Sequence, residues 1–185
     1  MYTLEVNSTT CREGFNDKTN EFITVKDCTL HLEHSLIAIS KWESKTHKRF
    51  LGDERKSMAE IRFYAECMCI EKNVDPAIWS LLTTETLKEI MEYTEDSMSA
   101  TTFGPSADDD EDQSGEEKMS SELIYYYMSA SKIPFSCEKW NLNRLLTLLK
   151  ICGIKNRYSD KPKKSQSQLL NKYASMHAAK KRAKK

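Results

Sequence analysis

The sequence predicts a mainly α protein: a small N-terminal β-hairpin, then a bundle of five or six helices, with an acidic disordered loop and a basic C-terminal tail attached. Three observations predict it. Leu142, Leu145, Leu146, Leu149 and Cys152 recur at the three- and four-residue spacing of one helical face, and Gly153 stands where a helix stop is expected. Upstream, β-branched and alternating sequence gives way at Ser35 to a helical period. Finally, residues 105–118 and 155–185 carry few large apolar side chains, so the folding unit is smaller than the 185-residue chain. These divisions place a single mainly helical domain at 1–156, with a mobile acidic loop at 105–118, and a largely disordered or marginally helical tail at 157–185.

Taken in order, Tyr2–Val6 and Glu21–Leu32 read as strands, with Asn16–Asn20 as turn material between them. From Ser35 a stripe of Leu36, Ile37, Ile39, Ser40 and Trp42 faces Lys41, Glu43 and Lys45, which predicts a helix to about Thr46. Met58, Ile61, Tyr64, Ala65, Met68 and Cys69 place a second helix within Lys56–Lys72. Asp75-Pro76 supplies an N-cap followed by proline at the first helical position, so a short helix follows over Ala77–Leu82. Thr83 or Thr84 caps the next, whose stripe is Leu87, Ile90, Met91 and Tyr93. Ser121 caps a helix to about Ser131, Ile133-Pro134 breaks it, and the long helix to Cys152 begins at Ser136 or Cys137.

Between these helices, Gly104–Glu117 carries seven acids and no apolar anchor. Ordering it would cost about 1–2 kcal/mol of backbone entropy per residue with little burial in return. Formal charge sums to zero, yet Lys155–Lys185 holds eleven Lys and Arg against Asp160 alone. The tail is therefore +10 and residues 1–154 are −10, an asymmetry that suggests an interaction arm. Its clustered cations include Lys163, Lys164, Lys180, Lys181 and Arg182. No stretch approaches the roughly 20 apolar residues of a membrane-spanning helix, and the start Met1–Val6 lacks a basic, apolar leader. The six cysteines are accordingly expected as reduced thiols in a soluble protein.

Catalytic and ligand-binding classes find little footing. The five glycines are too dispersed for a phosphate-cradling loop. His31-x-x-His34 and Cys67-x-Cys69 offer zinc-type ligands, but Cys67 and Cys69 fall on a helix where neighbours two apart diverge. No cysteine is placed beside a histidine and a carboxylate for nucleophilic catalysis. No cofactor is expected. Tyr125-Tyr126-Tyr127 would suit a base-stacking platform, yet three consecutive helical positions span most of the circumference, so at least one ring is expected in the core. The same packing role is expected of Trp42, Trp79 and Trp140. The residue types point to recognition rather than turnover.

The blocks His31–Lys45, Asn73–Pro76, Ser99–Phe103 and Ser121–Asn156, above all Trp140–Leu149, resemble a family of small proteins from long-tailed bacteriophages, the tail assembly chaperones. The likeness covers roughly 28–156, and this chain differs in a longer acidic loop and in Tyr127 where tryptophan is expected. The resemblance implies a non-enzymatic protein of the host cell cytoplasm that binds the tape-measure protein before the tube polymerises, and it allows the tail tube protein as a further partner. On this reading Leu36, Trp42, Tyr126, Trp140, Arg144, Leu145 and Leu149 serve a partner. Homo-oligomerisation is compatible with it, and no membrane is implied. The alternatives are a nucleic-acid-binding accessory protein using the basic tail, and a structural virion component.

Overall fold

The computed structural model describes residues 1–16, 20–23, 25–52, 54–103 and 119–160. Among them the fold is mainly α, with six α-helices, one 3-10 helix and two small antiparallel sheets. The acidic segment 105–118 and the tail cations Lys163, Lys164, Lys180, Lys181 and Arg182 lie outside the described residues. Two units divide the chain, Met1–Leu149 and one beginning at Lys150.

The strand region is more divided than the sequence suggested. β1 (Tyr2–Val6) pairs with β4 (Cys28–Leu32) in the register Tyr2↔Leu32, Leu4↔Leu30 and Val6↔Cys28. Nested between them, β2 (Gly14–Asn16) pairs with β3 (Glu21–Ile23). The expected single strand Glu21–Leu32 is thus two, β3 and β4, and the expected turn Asn16–Asn20 falls between β2 and β3 in the sequence. Alternation decides which face of the outer pair is covered: Leu4, Val6, Leu30 and Leu32 are buried, while Thr3, Glu5 and Thr29 face out.

Helices begin where cap chemistry allows. α1 (Leu36–Thr46) is capped by Ser35, which accepts from the Ala38 N–H. α2 (Met58–Met68) opens with a capping box, Ser57 and Glu60 satisfying each other's backbone N–H. Asp75 accepts from the Ala77 N–H and Pro76 starts α3 (Pro76–Leu81). Thr83 caps α4 (Thr84–Glu95), and Ser120, one residue before the expected position, caps α5 (Ser121–Ala130).

After Pro134 the chain makes a 3-10 helix, Phe135–Lys139, and α6 runs from Leu142 to Asp160. The long helix therefore starts at Leu142, later than Ser136 or Cys137, with the Asn141 side chain accepting from the Asn143 N–H at 3.0 Å. It also passes through Gly153 without stopping. Glycine permits the left-handed turn that ends a helix but does not impose it.

α1 is the centre of the Met1–Leu149 unit, packing on α2 and α5, while α2 also meets α3 and α4. Its core joins Leu36, Ile39 and Trp42 to Tyr64, Met68, Leu87, Ile90, Ile124, Met128, Leu142 and Leu145, each at most 2% exposed. Backbone bonds sew the strands into this bundle: Glu33 N–H to Met68 carbonyl, Ile70 N–H to His31 carbonyl, and Leu142 N–H to His34 carbonyl. Glu33 adds a polar tie, accepting from the Tyr93 hydroxyl at 2.8 Å and the Asn141 amide at 3.2 Å.

Candidate partner-binding surface

Partner binding needs side chains that core packing leaves free, so exposure sorts the seven candidate residues. Leu36, Trp42 and Leu145 are sealed in the core at 0%, 1% and 0% exposure. They hold the fold and offer nothing to a partner, a correction to the sequence reading. Trp42 is fixed further by its indole N–H donating to the Glu60 carbonyl at 3.0 Å. Leu149 is half-buried. Tyr126, Trp140 and Arg144 remain on the outside.

Tyr126 is 64% exposed because the inward stripe of α5 is made by Ile124 and Met128 instead. Neither Tyr125 nor Tyr127 is fully buried, so no ring of the triplet is core, contrary to expectation. The Tyr126 and Tyr127 rings lie 5.6 Å apart, and Tyr125 donates its hydroxyl to Glu138 at 2.7 Å. Trp140, expected in the core, is 45% exposed. It terminates the 3-10 helix rather than occupying a long-helix stripe, and the Arg144 guanidinium sits 6.0 Å from its ring centroid.

Phe135 was missed. At 56% exposure it opens the 3-10 helix and meets the Tyr125 ring edge-on at 5.9 Å. The only local signal was Pro134, which ends one element and starts the next. In the same stretch of sequence Lys132, Lys139 and Arg144 are exposed, and none of them has an ion pair among the described residues. A separate exposed pair, Phe15 and Phe22, faces across β2 and β3 with ring centroids 5.3 Å apart.

The titratable groups weighed for catalysis or metal binding fall in separate places, and one of these joins His31, Glu71 and Cys69, a cysteine near a histidine and a carboxylate that the sequence did not place together. His34 is buried, bonded through Nδ1 to the Tyr64 hydroxyl, and desolvation pushes it down to about 4. His31 lies elsewhere, its ring on Glu71 at 2.7 Å and its N–H on the same carboxylate at 2.9 Å. Burial alone would raise Glu71, but those bonds hold it near 2. Cys69 is not helical as expected: it caps α2 in extended conformation and reaches Glu71 at 3.4 Å. Burial pushes Cys67 up to about 12 and Cys69 to about 11, which keeps both protonated and poorly nucleophilic at neutral pH. Among the described residues no three His, Cys, Asp or Glu come together as metal ligands, and no helix is long and apolar enough to cross a membrane.

Comparison with family models, curated proteins and solved structures finds no match.

Proposed function

We propose that this chain is a phage tail assembly chaperone, which binds the tape-measure protein in the host cytoplasm and keeps it soluble until the tail tube polymerises. The observation that carries the reading is the exposure of three large aromatic side chains, Tyr126, Phe135 and Trp140, within one short stretch of consecutive elements. Exposed apolar side chains suit an interaction surface where they adjoin. A tape-measure chain is long and helical, with apolar faces uncovered before assembly, and such faces dock by the helix-in-groove mode. The likeness of Trp140–Leu149 to the tail chaperones supports the same reading.

Co-expression tests it. A tape-measure fragment that aggregates alone should stay soluble with this protein, and Tyr126→Ala/Trp140→Ala should abolish the effect while leaving the circular dichroism intact. A fragment that remains insoluble with the wild-type chain removes the proposal. A second reading rests on the eleven Lys and Arg from Lys155 onward, which suit phosphate backbones. Recovery of the protein in purified particles would instead favour a structural virion component.

A further inference from the structure

α6 does not end with its buried stripe. Leu142 and Leu145 are fully buried, and Ile151 and Ile154 follow them by nine residues each, roughly two and a half helical turns, which puts the isoleucines on the opposite side of the helix. Ile154 is 36% exposed and Ile151 only half-buried, in a stretch, Lys150–Asp160, that groups with the chain after it rather than with Met1–Leu149. Eleven helical residues standing alone are marginal in water, so this stretch of α6 needs a partner. The sequence that follows is not uniformly basic. Between Lys164 and Lys180 the only Lys, Arg, Asp or Glu is Lys172, and Leu169, Leu170, Tyr173 and Met176 recur at helical spacing. Pro162 comes just after the end of α6, and Ser165 with Gln168 three residues on has the capping-box pattern of a helix start. A purely solubilising arm has no need of that apolar island.

We infer that segment 165–177 of this chain folds back along α6 and covers Ile151 and Ile154. Pro162 stands eight residues after Ile154 and eight before Leu170, and eleven after Ile151 and eleven before Tyr173. Reversal of the chain about Pro162 therefore sets Ile154 level with Leu170 and Ile151 level with Tyr173. Lys161–Lys164 is a connection of ordinary length for two antiparallel helices. So short a tether holds the segment at an effective concentration of about millimolar, which no free partner matches easily. A second copy fits less well. A two-fold contact would bring the partner's own α6 cations against Lys150, Lys155 and Arg157, whereas 165–177 carries one cation in all. A nucleic acid would be drawn to the flanking lysines and leave the isoleucines uncovered. The inference is independent of the chaperone reading, which concerns Tyr126, Phe135 and Trp140.

Hydrogen exchange on the full chain tests it, with one pair of alanines on each side of the contact. Amides of Lys150–Asp160 should exchange at least about tenfold faster in Leu170→Ala/Tyr173→Ala than in wild type. Those of 165–177 should do the same in Ile151→Ala/Ile154→Ala, while Leu36–Thr46 stays unchanged in both variants. Alanine is the best helix former, so faster exchange in the substituted segments does not come from lost propensity. Unfolding of the body would expose Leu36–Thr46 as well and is thereby told apart. Unchanged exchange in Lys150–Asp160 when Leu170 and Tyr173 are replaced would overturn the inference. So would protection of α6 that rises over an about hundredfold range of protein concentration, which would give the face to a second copy. Protection that appears only with added oligo(dT) would give it to nucleic acid and overturn the inference too.

Discussion

Glu43 is a charged residue that the chain places almost entirely inside, at 8% exposure. Its two carboxylate oxygens accept from the Phe50 N–H and the Ser121 N–H, each at 2.8 Å, so one side chain ties α1, the following loop and the start of α5. Glu43→Ala would leave two buried donors unpaired, at about 1–3 kcal/mol each. Urea unfolding should show a loss of about 2–6 kcal/mol, whereas Glu66→Ala, on the exposed side of α2, should stay within about 0.5 kcal/mol. Beneath Glu43 the Phe50 ring lies 3.9 Å from Tyr64 and 5.3 Å from Trp42, and His34 closes the cluster. Because desolvation lowers the His34 pKa from 6.5 to about 4, the unfolded chain binds its proton first. Stability from the neutral imidazole is complete above about pH 6.5 and is lost as pH falls toward 4, by up to about 3 kcal/mol. The His34 ring resonances should not titrate between pH 7 and 5, and a stability that is flat over that range in wild type but sloped in His34→Gln would contradict this.

Some element starts were legible in the sequence because capping is local: Asp75-Pro76 starts α3, Thr83, one of the two threonines offered, caps α4, and the helical period expected from Ser35 begins there. Strand pairing was not, since β1 finds β4 across the whole of β2 and β3, and that pairing is decided by burial of Leu4, Val6, Leu30 and Leu32. The site was half legible for a related reason. Periodicity groups side chains on one face but does not say which face is covered, so Trp42 and Trp140 looked alike and only Trp42 is core. The late start of α6 is what separates them, for it leaves Trp140 at a junction. Gly153 gives a test at this scale. A Cβ there meets nothing within 4 Å and the residue is helical, so Gly153→Ala should raise helicity and stabilise α6 by about 0.5–1 kcal/mol. A helix stop would give the opposite sign, because alanine is strained in the left-handed region. Gly14 contrasts with it: a Cβ would come within 2.5 Å of Leu81 Cδ2, so alanine there must shift the buried Leu81 side chain.

At the scale of the whole chain, zero net charge is a sum of opposites, −10 over residues 1–154 and +10 beyond. The two functional readings use different parts of that division. A chaperone surface at Tyr126, Phe135 and Trp140 lies in the Met1–Leu149 unit, whereas phosphate binding would draw on the cations after Lys155. Deleting 161–185 removes nine Lys and Arg and no acid, leaving a chain of net charge −9. Such a body repels phosphate, and polyanion affinity that depends on six or more of those cations would fall about 10³-fold in the intact protein between 50 and 200 mM salt. The truncated chain should therefore keep a tape-measure fragment soluble as well as the intact one, at a yield insensitive to added salt, because the aromatic contacts are apolar and exposed charge pairs beyond about 10 Å are already screened at 0.1 M. Rescue that vanishes with the tail, together with steep salt dependence of DNA or RNA binding by the intact chain, would transfer the function to the arm and leave Tyr126 and Trp140 without a client.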